Sequence, residues 1–195
     1  MLHDFDTKGY VIVKDFLDDL TLSTVSKYLE NRVNRQEWVE VDEDKISAYN
    51  YYADPFIEVI LESATAKVAE VCGREAIFPT YSFARIYQKG ESLFPHVDRP
   101  SCEISVTVNV ANLGEPSPIF MKYDTNEEVK CVLSPGDAVV YKGCEVEHWR
   151  NPLIEGQLVV QFMLHYVDAH GDFARHRLDA RPKLGLGTET IKFKH

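Results

Sequence analysis

The chain has no apolar run long enough to cross a bilayer. Its opening residues, Met1-Leu2-His3-Asp4-Phe5-Asp6, contain no basic stretch followed by an apolar core, so no secretory signal is expected. Its four cysteines (Cys72, Cys102, Cys131, Cys144) are dispersed and form no CxxC pair. That argues against a zinc knuckle or a disulfide framework, and for reduced thiols in a cytoplasmic protein. Positive charge is scarce, with 21 Lys and Arg against 31 Asp and Glu and a formal net charge of −10. Such a field repels phosphate backbones, so a broad nucleic-acid footprint is not expected and only a local basic groove stays open; with no long apolar run, a membrane is not expected either. There is no internal repeat, low-complexity segment or linker. What remains is ordinary for one soluble domain: 195 residues, 45% of them hydrophobic and 27% charged.

The N-terminal part reads as a support region over residues 1–75. Gly9-Tyr10-Val11-Ile12-Val13-Lys14 is β-branched and aromatic, a short strand. Asp18 or Asp19 can cap a helix running to about Val33, with Leu22, Val25, Leu29 and Val33 at helical spacing. Residues 35–53 are polar and tyrosine-rich and read as a loop that could hold a short strand. Tyr49, Tyr51 and Tyr52 there, like Trp149, are candidates for a substrate site or for packing. Asp54-Pro55 starts a second helix whose apolar stripe is Ile57, Ile60, Leu61, Ala64, Val68 and Val71, and Gly73 can end it.

From Ala76 the texture changes to short β-rich runs punctuated by turns such as Lys89-Gly90 and Ser134-Pro135-Gly136-Asp137. Strands are expected near 76–88, 93–98, 103–112, 118–123, 129–133, 138–142, 145–150 and 157–167. Eight closely spaced strands over 76–168 imply a jelly roll or barrel, with the two helices packed on the outside of one sheet. Residues 169–195 turn polar and basic and read as a surface tail with a short helical turn. The whole is one mainly β domain with flanking helices.

One stretch carries chemistry. In Phe94-Pro95-His96-Val97-Asp98 an imidazole and a carboxylate lie two residues apart on an extended backbone, so they point to the same side. His148, in the strand-like run Glu145-Val146-Glu147-His148-Trp149-Arg150, could complete a two-histidine, one-carboxylate face with open positions, the donor set of non-heme Fe(II) oxygenases. Spacing alone favours reading His148 as a satisfied core histidine. His165, in the last strand, competes for the third place. His-x-Asp is a weak motif by itself: a second copy, His170-Gly171-Asp172, lies in a glycine-containing tail, a poor platform for a rigid site. On the strand Glu103–Val110, Ser105, Thr107 and Asn109 alternate with Ile104, Val106 and Val108, and either set could face the interior. Arg99 and Glu103 could contact substrate or pair with one another.

The ordered set Arg85-Ile86-Tyr87-x-x-Gly90, His96-Val97-Asp98, Ser134-Pro135-Gly136-Asp137-Ala138-Val139-Val140-Tyr141, His148 and the closing His165-Tyr166-Val167-Asp168 resembles the Fe(II)/2-oxoglutarate-dependent dioxygenases, near their prolyl-hydroxylase-like branch. The N-terminal strand and helix resemble that family's lead-in. The resemblance implies a double-stranded β-helix core, His96, Asp98 and His148 as iron ligands, and Fe(II), 2-oxoglutarate and O2 as metal, cosubstrate and oxidant. The reaction it implies is hydroxylation of a small molecule or a peptide, with release of succinate and CO2. The chain departs from the family in one place. About ten residues beyond the distal histidine, where an Arg or Lys usually binds the far carboxylate of 2-oxoglutarate, it has Gly156-Gln157-Leu158-Val159-Val160. Arg150, two residues after His148 and so on the same face, is the expected replacement. Tyr87 and Gln161 are expected to assist, with Lys122 and Lys142 in reserve. The missing cation keeps a second possibility open, a non-catalytic or cupin-like β-barrel that binds metal or ligand. Substrate identity and oligomeric state are not legible.

Overall fold

A computed structural model of the protein describes residues 2–35, 49–124 and 127–185. In chain order the elements are α1 (Leu2–Lys8), β1 (Tyr10–Val13), α2 (Asp19–Asn34), β2 (Tyr49–Tyr52), α3 (Pro55–Cys72), β3 (Ile77–Tyr87), β4 (Leu93–His96) and β5 (Ile104–Leu113). They continue with β6 (Ile119–Lys122), β7 (Glu128–Cys131), β8 (Ala138–Lys142), β9 (Glu147–Arg150) and β10 (Leu158–Asp168). The eight strands expected after residue 76 all form, with ends within two residues of those read from the sequence. Asp18 caps α2 by accepting the Thr21 amide at 2.8 Å. Asp54 caps α3 by accepting from Phe56 and Ile57, and Gly73 ends it at a φ of 65°. α1 was not foreseen; seven residues are too few to show a period. Of the tyrosine-rich stretch, residues 36–48 lie outside the described residues, and its end is β2.

The strands make two antiparallel sheets, one of six strands in the order β1-β8-β5-β10-β3-β2 and one of four in the order β4-β9-β6-β7. This is the double-stranded β-helix. The N-terminal region is more than helical support, since β1 and β2 form the two edges of the larger sheet.

Both faces of the larger sheet are covered, and they differ in kind. One face presents Ala84, Val106, Val108, Val140, Phe162 and Leu164, which pack with Val25 and Leu29 of α2 and Ile57, Leu61 and Val68 of α3 in one core. The other face looks toward the smaller sheet and is crossed by rows of residues in register. Asn50, Arg85, Gln161 and Asn109 form one row, Tyr52, Phe83, Met163 and Thr107 the next, and Tyr81, His165, Ser105 and Tyr141 a third. The polar set of β5 therefore faces inward. Deep between the sheets, Ile119, Met121, Cys131, Leu133, Val139, Tyr141 and Val146 close a second apolar cluster.

The segment after β10 is not a free surface tail in its described part. Asp179 accepts from Arg99 at 2.7 Å to each terminal nitrogen and from Ser101 at 2.8 Å, and it takes the hydroxyl of Tyr52. Arg181 is buried, pairs with Glu58 of α3 and donates to the carbonyl of Thr80 at 2.7 Å. These partners lie about 80 to 125 residues away in sequence, a distance at which local pattern carries no signal.

Candidate metal centre

β4 and β9 pair antiparallel, and His96 lies directly opposite His148 in their register. Side chains at paired positions share a face, so the imidazoles meet with ring centroids 4.3 Å apart. Asp98 lies just beyond β4. Its amide donates to the Gly143 carbonyl at 2.8 Å, and its Oδ1 stands 3.6 Å from the Nε2 of both histidines. One donor atom from each of the three lies within 4.8 Å of the others. Gly143 makes room for the carboxylate: a Cβ there would come within 2.0 Å of the Cys102 carbonyl and 2.7 Å of Asp98 Oδ2.

Each histidine is oriented by a carbonyl two residues upstream. His96 Nδ1 lies 2.8 Å from the Phe94 oxygen and His148 Nδ1 lies 3.0 Å from the Val146 oxygen. A carbonyl only accepts, so Nδ1 carries the proton and Nε2 is the ring nitrogen turned toward Asp98. Burial disfavours the charged form of both imidazoles. At His148 burial wins and the pKa is lowered. At His96 the Asp98 carboxylate and the Phe94 carbonyl outweigh it and the pKa is raised. Burial also works against the Asp98 anion, but the three surrounding imidazoles and the Ser105 hydroxyl bring its pKa down to about 2.

His165 stands behind the carboxylate. Its Nδ1 is 3.0 Å from Ser105 Oγ, which donates to Asp98 Oδ2 at 2.7 Å. Because Ser105 spends its single proton on the carboxylate, His165 must donate to Ser105. His165, Ser105 and Asp98 thus form a chain that fixes the carboxylate, while the ring of His165 packs on Tyr81 at 4.6 Å. Burial pushes the His165 pKa down to about 4. Asp98, Cys102 and His165 form a second group with donor atoms within reach of one another, but Cys102 is turned to the Tyr81 hydroxyl at 3.1 Å and its thiol is pushed up by burial.

A cavity of about 160 Å³ opens beside the triad, and Tyr87, Gln161, Thr107, Phe83, Met163 and Arg85 are among its lining residues. Arg150 lies behind Gln161, 4% exposed, and donates to Gln161 Oε1 at 2.8 Å and to the Ser117 carbonyl and hydroxyl. Its Nε is buried without a partner, no carboxylate of the described residues pairs with it, and burial pushes its pKa down. It sits over the Tyr87 ring, 5.3 Å from the centroid, and lines the same small recess as Val159 of the last strand. The reserve lysines lie elsewhere: Lys142 is held by Tyr123 and Glu145, and Lys122 pairs in register with Glu147 on the outside of the smaller sheet. Of the aromatic candidates, Tyr51 is buried in the helix-side core and Trp149 stacks on Phe120. Tyr52 alone is on the inner face, with its ring 5.0 Å from Tyr81. Arg99 pairs with Asp179 rather than Glu103, which accepts the Asp168 amide at 2.8 Å. His170 is exposed. Arg85, Thr107 and Ser105 had no role assigned from the sequence. The available signal was strand alternation, which sets Tyr81, Phe83, Arg85 and Tyr87 on one face once any one of them is known to look inward.

Two facing antiparallel sheets of this kind are the fold found in solved 2-oxoglutarate/Fe(II) oxygenase structures. No family model and no curated protein sequence matches the chain. Among solved structures it is similar to the α-ketoglutarate-dependent epimerase SnoN of nogalamycin biosynthesis, with a TM-score of 0.72, 14% identity, and coverage of 99% of this chain and 91% of that one. A prolyl-4-hydroxylase from Pseudomonas putida follows with a TM-score of 0.68, 14% identity and coverage of 85% and 95%. A Trichoplax adhaerens prolyl hydroxylase, in complex with a peptide fragment, gives 0.69, 13%, 92% and 90%. At such identities the likeness establishes the fold.

Proposed function

We infer that the protein is an Fe(II)- and 2-oxoglutarate-dependent oxygenase that hydroxylates a small molecule or a peptide side chain and releases succinate and CO2. The observation that carries this reading is the register of β4 and β9, which sets His96 against His148 with Asp98 3.6 Å from both. Two imidazoles with bare Nε2 atoms and one ionised carboxylate are the donor chemistry that Fe(II) takes, and three ligands leave the metal open to exchangeable partners. A second observation fits the cosubstrate. Among the described residues, Arg150 is a buried guanidinium with an orphaned Nε and no acidic partner. A buried cation of that kind is costly unless an anion joins it, and its planar fork suits a carboxylate. It stands in for the missing cation of the last strand, with Tyr87 and Gln161 beside it.

When bound, iron with 2-oxoglutarate and O2 supplies the oxidising chemistry. The residues of the chain do the rest. His96, Asp98 and His148 hold the metal, and Ser105 and His165 keep the carboxylate turned toward it. Arg150 and Gln161 orient the dicarboxylic acid, and the apolar rings of Phe83 and Tyr87 limit water in the cavity. The soluble partners expected are therefore a small molecule or peptide.

The test is conversion of 2-oxoglutarate to succinate by the purified protein with Fe(II), followed chromatographically, with His96→Ala abolishing it. Undiminished turnover in that variant would overturn the reading. Arg150→Gln is expected to weaken 2-oxoglutarate binding by about tenfold or more, the worth of a charge-assisted pair.

A further inference from the structure

The cavity beside the triad has a second guanidinium. Arg85 lies on β3, in register with Asn50 on one side and Gln161 on the other. Its Nε donates to Asn50 Oδ1 at 3.1 Å and one terminal nitrogen reaches the Tyr87 hydroxyl at 3.3 Å. Among the described residues its other terminal nitrogen makes no hydrogen bond and no carboxylate pairs with it. The side chain is half-buried and lines the cavity, unlike Arg150, which lies behind it. Phe83 and Tyr87 hold the guanidinium from below, 5.0 and 5.8 Å from their centroids. A cation fixed by a neighbouring amide and two rings, with its free edge toward a cavity, is built to receive an anion.

Charge accounting, which rests on the iron and 2-oxoglutarate reading above, says which anion. Among the described residues lining the cavity the only acid is Asp98. With a divalent metal, two neutral histidines, Asp98, Arg85 and Arg150, the site carries three positive charges in excess. The dianion of 2-oxoglutarate offsets two. One positive charge is left, and it belongs to the arginine that faces open space. The geometry points to Arg85 as the group that selects the substrate: the molecule oxidised at this site carries a single negative charge, a carboxylate or its equivalent, that pairs with Arg85. The apolar lining nearby, Phe83, Leu93 and Met163, accommodates the body of that molecule.

The probe is trifluoroacetate, a monoanion, against trifluoroacetamide, its neutral counterpart. Each is observed by fluorine NMR with the protein loaded with Mn(II) and saturating 2-oxoglutarate, so that paramagnetic broadening reports proximity to the metal. Trifluoroacetate is expected to broaden and trifluoroacetamide not. Arg85→Gln should reduce the broadening by about tenfold, as loss of a charged pair requires, while leaving 2-oxoglutarate affinity and the thermal midpoint near wild type. Arg85→Lys should keep most of it. Equal broadening by the amide, undiminished broadening in Arg85→Gln, or none in the wild type would overturn the proposal. So would loss of 2-oxoglutarate binding in a folded Arg85→Gln, which would make Arg85 the cosubstrate's partner. Absence of 2-oxoglutarate binding in the wild type would instead defeat the oxygenase reading, and the dependence of trifluoroacetate on Arg85 would still decide the anion site.

Discussion

The two faces of the six-stranded sheet are built from the same strands and are both largely buried, yet they have different tasks. On β5, Val106 and Val108 are fully buried against the helices, while Ser105 and Thr107, no more exposed, face the smaller sheet. On β10, Phe162 and Leu164 go to the helix side and Gln161 and His165 to the site. The outer face contributes apolar burial and so stability. The inner face spends buried volume on polar groups that must each find a partner, and it finds them in rows across the strands. The lesson is that stability and chemistry are separated by the thickness of one strand, so neighbouring residues in sequence should respond to mutation in opposite ways.

The largest effect should come from the inner side. His148→Ala removes one of three donors and is expected to lower oxygenase turnover by about a thousandfold or more, with a denaturation midpoint close to wild type; steady-state kinetics and urea titration together check both halves. On the outer face, Phe162→Ala should do the reverse, costing about 3–5 kcal/mol of stability by urea titration through the cavity it leaves, while the variant that remains folded keeps its affinity for Fe(II). If Phe162→Ala weakened the metal as strongly as the fold, the separation of faces would fail. Ser105→Ala breaks the hydrogen bond to Asp98 without touching the metal, and should weaken Fe(II) or Mn(II) binding by about 10- to 100-fold, read by metal titration.

The smallest effect is in pH. His165 has its folded pKa pushed down by burial to about 4 from an ordinary value near 6.5. Between those values the unfolded chain binds a proton that the native state refuses, so stability falls as pH falls through that window and is unaffected above it. The loss should be about 2 kcal/mol between pH 7 and pH 5. Urea titrations of wild type and His165→Gln at the two pH values isolate it; an equal pH dependence in the two proteins would show that His165 is not the group responsible.

How much of this was readable in advance follows from what each residue interacts with. Strand positions followed from β-branched runs between turn residues, and α2 and α3 from their caps at Asp18 and Asp54 and the stop at Gly73, because those signals act over a few residues. His96 and Asp98 share a side because extended backbone alternates, a local fact. His148 was joined to them only by resemblance, since a partner 52 residues away is chosen by strand pairing. The spacing of Arg150 from His148 points it to the same face, and the structure adds that it is buried with no acid beside it among the described residues. Arg85 could not be separated from the other surface-compatible charges, because its inward orientation depends on which face of β3 meets the smaller sheet.

By itself the sequence determined most of the elements, their order and two of the three donors, all consequences of interactions within a turn or a strand. Tertiary structure decided which face of β5 looks inward, that Asp179 and Arg181 tie the C-terminal segment to Arg99 and Glu58, and that Arg85 lines the cavity beside Asp98 while Arg150 is buried behind Gln161. The reason is that both faces of the larger sheet are buried. Alternation then fixes which residues stand together and says nothing of which side they stand on, and only the packing of helices against one face and a second sheet against the other removes that symmetry.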